Sequence, residues 1–194
     1  LPIENKNGTT INNLKDKSAV IISFLEGKQL QSILLNHCKE VGSMIARFTN
    51  ITKSSKLMRN NSMSINDWEN IFIKCKKERS EAYDPYLDTI EKELIFLKKN
   101  WPHELPKAII HADLFQDNVF FKEDKISGVI DFYFSCKDFI AYEIALTINA
   151  WCFDVKKGFL HDNYVSFMQG FNKYSSLNED EVNALNILLR GAAL

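Results

Sequence analysis

The sequence predicts an α+β fold, a mainly helical lobe built around a small β-hairpin. Three observations predict it. Apolar residues recur at helical spacing through the first and last thirds of the chain. Three short runs of strand character, two of them joined by a tight polar turn, occupy the centre. A β-branched run near the start ends abruptly at Glu26-Gly27. With 194 residues the chain is long enough for one full domain and its core.

Taken in order, Ala19 to Leu25 (AVIISFL) reads as a buried strand followed by a turn, and Leu1 to Ser18 as polar and turn-like. Leu30, Ile33, Leu34, Val41, Ile45 and Phe48 then define a long amphipathic helix over residues 29–49. Asn50 to Asn66, rich in Ser, Asn and Lys, reads as a surface loop. A helix is expected over Ile65 to Arg79, with Asn66 or Asp67 as its N-cap. Asp84-Pro85 starts another, which ends before Trp101-Pro102 because the residue preceding proline is pushed out of helical geometry. Lys107–His111, Asn118–Phe121 and Ile126–Asp131 are strands, the last two forming a hairpin across Glu123-Asp124-Lys125. Ser135 with Asp138 has the spacing of a capping box, predicting a helix over about 137–153 that is apolar nearly all round and therefore central. Tyr164, Phe167, Met168 and Phe171 mark a further helix, and Asn178 with Glu181 caps the last.

Bulk properties narrow the function classes. Apolar residues make up 45% and charged residues 25%, with a net charge of −1, which argues against a broad basic nucleic-acid surface. No apolar run reaches the roughly 18 residues of a membrane span. Cys38, Cys75, Cys136 and Cys152 form no CxxC pair and lie near no histidine at metal-ligand spacing, so they read as reduced thiols in a cytoplasmic protein.

The informative stretch is HADLFQDNVFF at 111–121 with GVIDFY at 128–133. Phosphoryl transfer needs an acceptor to orient the nucleophilic hydroxyl, and oxygen ligands to hold the metal that neutralises the phosphates. A carboxylate on a tight loop (Asp113), an Asn five residues on (Asn118) and a second carboxylate after the hairpin (Asp131) supply those parts. Any one of them alone is an ordinary turn residue or cap. Their order between strands, ahead of a central helix, is what carries the reading. Asp117 fits turn chemistry better.

This HxDxxxxN-plus-Asp spacing resembles the catalytic loop of the protein-kinase-like superfamily. Ala112 after the His, and Phe132-Tyr133 after Asp131, point to its aminoglycoside-phosphotransferase branch; IDFYFSCKDFIAYEIALTINAWCF is most similar to the homoserine kinases of that type. The resemblance implies that Asp113 orients and deprotonates the acceptor hydroxyl, that Asn118 and Asp131 bind Mg²⁺, and that His111 braces the loop. It implies ATP as co-substrate, its adenine held by the Ser23 carbonyl and the Leu25 N–H at an interlobe hinge. Glu143 would tie its helix to the catalytic loop, and Asn149, Trp151 and Asp154 lie where related kinases bind the acceptor. Core packing serves equally well for Trp151, and a solvated helix end for Asp154. The implied partners are ATP and a small amino-acid alcohol, L-homoserine first, with aminoglycoside, choline or methylthioribose kinases and a non-catalytic pseudokinase as alternatives. After Asp131 only Asp138, Glu143, Asp154 and Asp162 precede the final helix, a thin acid supply that favours a small zwitterion over a polycation.

By the same resemblance, residues 1–27 are the end of a small N-terminal lobe with the hinge, and 28–194 a helical catalytic lobe cut short at its C-terminus. No Gly-rich loop or phosphate lysine precedes the hinge, so most of the N-terminal lobe is expected to be missing and residues 1–194 alone to be inactive. Oligomeric state leaves no mark in the sequence.

Overall fold

A computed structural model describes residues 1–82 and 84–194. It begins with a hairpin of β1 (Ile11–Leu14) and β2 (Lys17–Val20). Lys15 and Asp16 between them have φ of 50° and 61°, the paired left-handed geometry that a two-residue hairpin turn requires. The stretch read as polar and turn-like therefore contains a strand, hidden by Asn12-Asn13. The expected strand over 19–25 forms only in part: β2 ends at Val20, and residues 21–23 pair with 1–3 through the bonds Ile3 N–H to Ile21 O and Ser23 N–H to Leu1 O. Nor is it buried. Val20, Ile21, Ile22 and Phe24 are exposed, because no second layer among the described residues covers this hairpin.

Residues 28–34 are irregular rather than helical, with bends at Gln31 and Ser32. Lys28 exchanges both backbone hydrogen bonds with Phe121, and the Gln29 side chain donates to the Asp117 carbonyl. Leu30 and Ile33 still pack on the core, so their spacing marked burial correctly and conformation wrongly. Helix α1 thus runs over Leu35–Thr52, its first turn closed by His37 Nδ1 accepting the Leu34 N–H at 3.1 Å. After the loop, α2 (Ile65–Glu78) starts from Ser64, two positions ahead of Asn66 and three ahead of Asp67, the expected caps, which places Asp67 in the first turn where its charge meets the helix dipole. A 3-10 turn at Asp84–Tyr86 leads into α3 (Leu87–Asn100), which ends before Trp101-Pro102 as the proline requires.

The centre holds two two-stranded sheets. Strands β4 (Val119–Lys122) and β5 (Lys125–Val129) form the expected hairpin, with a bulge at Phe120/Phe121 and Glu123 at φ 56° in its turn. Strand β3 (Lys107–Ile110) pairs antiparallel with β6 (Cys136–Phe139). That pairing overturns the capping box. Ser135 Oγ donates to the Ile110 carbonyl, while Asp138 accepts from Asn61 Nδ2 and the Phe139 N–H. The ladder with β3 outcompetes a helical start, and α4 begins three residues late, at Ile140–Trp151. It is central as expected, with Ala141 through Ala145 and Trp151 buried. A short hairpin, β7 (Phe153–Asp154) with β8 (Gly158–Phe159), precedes α5 (His161–Asn172) and α6 (Glu179–Ala192). Asn178 and Glu181 make the predicted reciprocal cap, at 2.8 and 3.0 Å. All four cysteines are free.

Helices α1 and α5 pack against each other so closely that glycine is obligatory on both. A β-carbon at Gly170 would stand 1.9 Å from the Lys39 carbonyl oxygen, and one at Gly42 2.1 Å from that of Phe167. Ser43 Oγ donates to the Gly170 carbonyl across the contact. Alanine is worth about 1 kcal/mol over glycine in a free helix, but overpacking against backbone costs about 1–3 kcal/mol. Gly170→Ala is therefore expected to lower the urea midpoint; an unchanged or raised midpoint would contradict this contact.

Candidate active site

The loop from His111 to Asn118 leaves β3 and returns into β4 through a 3-10 turn, Gln116–Asn118. Its geometry is held from several sides. Ala112 sits at φ 64°, a left-handed conformation that costs an L-residue with a β-carbon about 1–2 kcal/mol. Its N–H donates to Glu143 Oε2 at 2.8 Å. Glu143 is buried on α4, and its Oε1 has no partner. Burial pushes this carboxyl up to about 7, against the pull of the Ala112 N–H.

His111 is also buried. Its Nε2 lies 2.9 Å from the Ile130 carbonyl, and its Nδ1 accepts the Asp113 N–H at 3.3 Å. A carbonyl can only accept and an N–H can only donate, so the ring is neutral with its proton on Nε2. Burial, which lowers its pKa, favours the same state. The imidazole thereby ties the loop to the end of β5 and packs against the Phe132 ring, centroids 4.6 Å apart. It is a brace.

Asp113 is half-buried. Burial, helped by the Asp131 charge, raises its pKa, while the Asn118 amide acts in the other direction. Asn118 Nδ2 donates to the Asp113 carbonyl at 2.8 Å and to its Oδ2 at 3.3 Å. This fixes the amide: rotated by 180°, its oxygen would face two acceptors. Asn118 Oδ1 is left without a protein donor among the described residues. The Ile130 N–H donates to the Asn118 carbonyl at 3.0 Å, which brings the end of β5 to the loop. Asp131 follows at φ 61°, exposed, its carboxylate also without a protein partner among the described residues. Two hard oxygen donors, one amide and one carboxylate, are thus left open beside Asp113. That set suits a divalent cation that takes its remaining ligands from phosphate and water.

The other expected site residues fall differently. Ser23 and Leu25 lie in the extended segment after β2. The Ser23 N–H is engaged by Leu1, but its carbonyl and the Leu25 N–H make no backbone bond among the described residues. The Leu25 side chain lies against Gly128 of β5, and Gln29 bonds Asp117, so this segment adjoins the hairpin that carries the loop. Asn149, Trp151 and Asp154 are not brought to Asp113. Trp151 is fully buried and its indole donates to the Leu114 carbonyl at 2.8 Å. Asn149 bonds the Leu189 carbonyl of α6. Asp154 accepts the Lys156 and Lys157 N–H groups, which hold its carboxyl below the usual range and close the β7–β8 turn.

What does meet Asp113 is a small pocket of about 180 Å³, lined by Asn61, Trp68, Phe134, Tyr142 and Leu146. None of these was marked by the sequence. Asn61 lay in a segment read only as a polar loop, and Tyr142 was one apolar residue in a helix apolar all round. A second, mainly apolar cavity of about 390 Å³ lies behind the loop, against His111, Glu143 and α1.

Fold and site together define a phosphotransferase-type lobe: a carboxylate loop, a hairpin, and a second carboxylate ahead of a buried helix. The chain belongs to the phosphotransferase enzyme family, which it matches over residues 6–168. It is 39% identical over 194 residues to a homoserine kinase of Sinorhizobium medicae, and 40% identical over 193 residues to one of Bartonella henselae. Both alignments take in all of this chain and 60% of the relative, so the chain spans about 60% of the length of the curated relatives it matches. Among solved structures it is similar to an aminoglycoside phosphotransferase of Alicyclobacillus acidocaldarius, with TM-score 0.69, 13% identity, and 98% of this chain and 63% of that one covered. An amicoumacin kinase in complex with AMP-PNP, Ca²⁺ and its ligand gives TM-score 0.67 at 14% identity, covering 97% and 60%. These establish the aminoglycoside-phosphotransferase fold. No helix of the described residues is long and apolar enough to cross a membrane.

The Glu143 carboxyl has a consequence for stability. Its pKa in the folded chain lies above the unfolded value near 4.3, so folding favours the protonated form. Its contribution is full below about pH 4.3 and is lost as the pH rises to about 7, a change of roughly 3 kcal/mol. His111, buried neutral, acts with the opposite sign. Comparison with Glu143→Gln cancels that part. Wild-type stability minus that of the variant, from urea titrations at about pH 4.5 and 7.5, is expected to fall by roughly this amount. A difference independent of pH would contradict the assignment.

Proposed function

We propose that the full-length protein is an ATP-dependent kinase that transfers the γ-phosphate to the side-chain hydroxyl of L-homoserine, giving O-phospho-L-homoserine. The observation that carries this reading is the arrangement of Asp113, Asn118 and Asp131: one carboxylate in a pocket of small-molecule size, beside two oxygen donors that the protein leaves unpartnered. The 39–40% identity to homoserine kinases over the whole chain supports the choice of acceptor.

In this reading the acceptor enters the pocket with its hydroxyl toward Asp113. The carboxylate accepts the hydroxyl hydrogen bond, orients the oxygen and takes its proton as the new P–O bond forms and the bond to the β-phosphate oxygen breaks, releasing ADP. The raised pKa of Asp113 makes it a better proton acceptor than an exposed carboxylate. Asn118 Oδ1 and the Asp131 carboxylate would hold Mg²⁺, which neutralises phosphate charge when bound. Ser23 O and Leu25 N–H, free and adjoining the hairpin, would take the adenine edge. His111 and Glu143 act only through the loop.

The roles separate by mutation. Asp113→Asn keeps shape but loses the proton acceptor, so kcat should fall by roughly two or more orders of magnitude with Mg·ATP affinity little changed. Asp131→Asn removes a metal ligand and should weaken Mg·ATP binding as well. Calorimetry giving the reverse pattern would overturn the assignment. The acceptor itself is tested by ADP release from the full-length protein against L-homoserine, choline and an aminoglycoside. Turnover with L-homoserine is expected; an inert L-homoserine beside an active alternative would sink that choice and leave the kinase reading standing.

A further inference from the structure

The pocket that meets Asp113 is also lined by Gly191, Ala192 and Leu194. No Lys, Arg or His lines it, although Asp113 does, and its walls include the aromatic rings of Trp68, Phe134 and Tyr142. Such a lining suits a cation, which gains from the negative carboxylate and from the faces of the rings.

Tyr142 is the wall's polar anchor. The residue is 4% exposed, yet its hydroxyl has no hydrogen-bond partner among the described residues, and the residue opens on this pocket. The hydroxyl itself is not sealed from solvent, so it is free to meet a ligand in the pocket. Its position is fixed. The Trp101 ring stands edge-on to it, centroids 5.5 Å apart, and Trp68 stands edge-on to Trp101 at 5.1 Å. Below the ring, α4 anchors the backbone one residue before Glu143, whose carboxylate holds the loop that carries Asp113. Hydroxyl and catalytic carboxylate are therefore set by adjacent residues of one buried helix.

We propose that the Tyr142 hydroxyl is a specificity determinant that accepts a hydrogen bond from the ammonium group of the acceptor substrate. The inference rests on the reading of this pocket as the acceptor site, and it goes beyond that reading by assigning the amine to a residue. Asp138 lies close enough for its charge to act on the phenol and favour a cation there; burial first, then that charge, pushes the Tyr142 pKa well up, so the hydroxyl stays neutral throughout the working range. A neutral phenol keeps lone pairs for an N–H donor without adding a second buried anion. The substrate class that follows is a compact amino alcohol, its amine a few bonds from the hydroxyl that faces Asp113.

The test compares L-homoserine with 4-hydroxybutanoate, which keeps carboxylate and hydroxyl but lacks the amine, in the full-length wild type and Tyr142→Phe. The wild type is expected to prefer the amine-bearing acceptor, and the variant to lose at least about tenfold of that preference in kcat/KM. The loss should fall mainly on KM for the amine-bearing acceptor, with KM for ATP and the melting temperature unchanged. Inhibition by L-2-aminobutanoate, which has the amine but no hydroxyl to phosphorylate, gives an independent reading and should weaken to the same extent. An unchanged preference with unchanged inhibition in a folded variant would overturn the proposal. If L-homoserine is inert but another amino alcohol is phosphorylated, the homoserine reading fails, and the same comparison on that alcohol and its deaminated counterpart decides Tyr142. A preferred acceptor without an amine would refute Tyr142 as amine reader while leaving Asp113 as the phosphoryl-transfer carboxylate.

Discussion

The hydrogen bond from the Ala112 N–H to the carboxylate of Glu143 joins the loop 111–118 to the centre of the lobe, and the loop's geometry is anchored there. A carboxylate with no access to water is expensive to keep, and here one oxygen has a single partner and the other none. A left-handed alanine is also costly. The two costs meet at one contact, the Ala112 N–H on the Glu143 carboxylate. From there the loop is determined in sequence. His111 reaches the Ile130 carbonyl, Ile130 reaches the Asn118 carbonyl, and Asp131 follows at the next position. Asp113 lies inside that ring of bonds, its own carbonyl and carboxylate braced by the Asn118 amide.

Helix α4 can act as this foundation because it is enclosed. The ladder of β3 with β6 delivers the chain to its first turn, α6 covers one side and bonds Asn149, and the Trp151 indole returns to the loop at Leu114. The glycine contact between α1 and α5 closes the far side. Of the residues expected as acceptor contacts, Trp151 thus bonds the loop, while Asn149 bonds α6 and Asp154 the β7–β8 turn. The pocket wall beside Asp113 is built from elsewhere, by Tyr142 from the start of α4 and by Asn61, whose amide bonds Asp138.

Much of the arrangement was legible in the sequence because it rests on local chemistry. The hairpin at 119–129, the reciprocal cap of Asn178 and Glu181 and the stop before Trp101-Pro102 are each decided within a few residues. Asp113, Asn118 and Asp131 were marked by spacing. The losses came where a distant partner decides conformation. Residues 29–34 have helical apolar spacing but are not helical: the chain ahead of them is tied where Lys28 pairs with Phe121 and Gln29 bonds Asp117. Ser135 and Asp138 have the pattern of a cap but are used by β3 and Asn61. The pocket wall beside Asp113 was invisible for the same reason: Asn61, Trp68 and Tyr142 converge from three separate segments, and none carries a signal of its own.

The central claim is that the loop 111–118 and Asp131 form one phosphoryl-transfer site. The most direct measurement is a crystal structure of the full-length protein with Mg²⁺, a non-hydrolysable ATP analogue and L-homoserine. The account predicts a metal at about 2.1 Å from Asn118 Oδ1 and from an Asp131 oxygen, with the acceptor hydroxyl in hydrogen-bond contact with the Asp113 carboxylate. A metal bound elsewhere, or a hydroxyl oriented by another group, would contradict it.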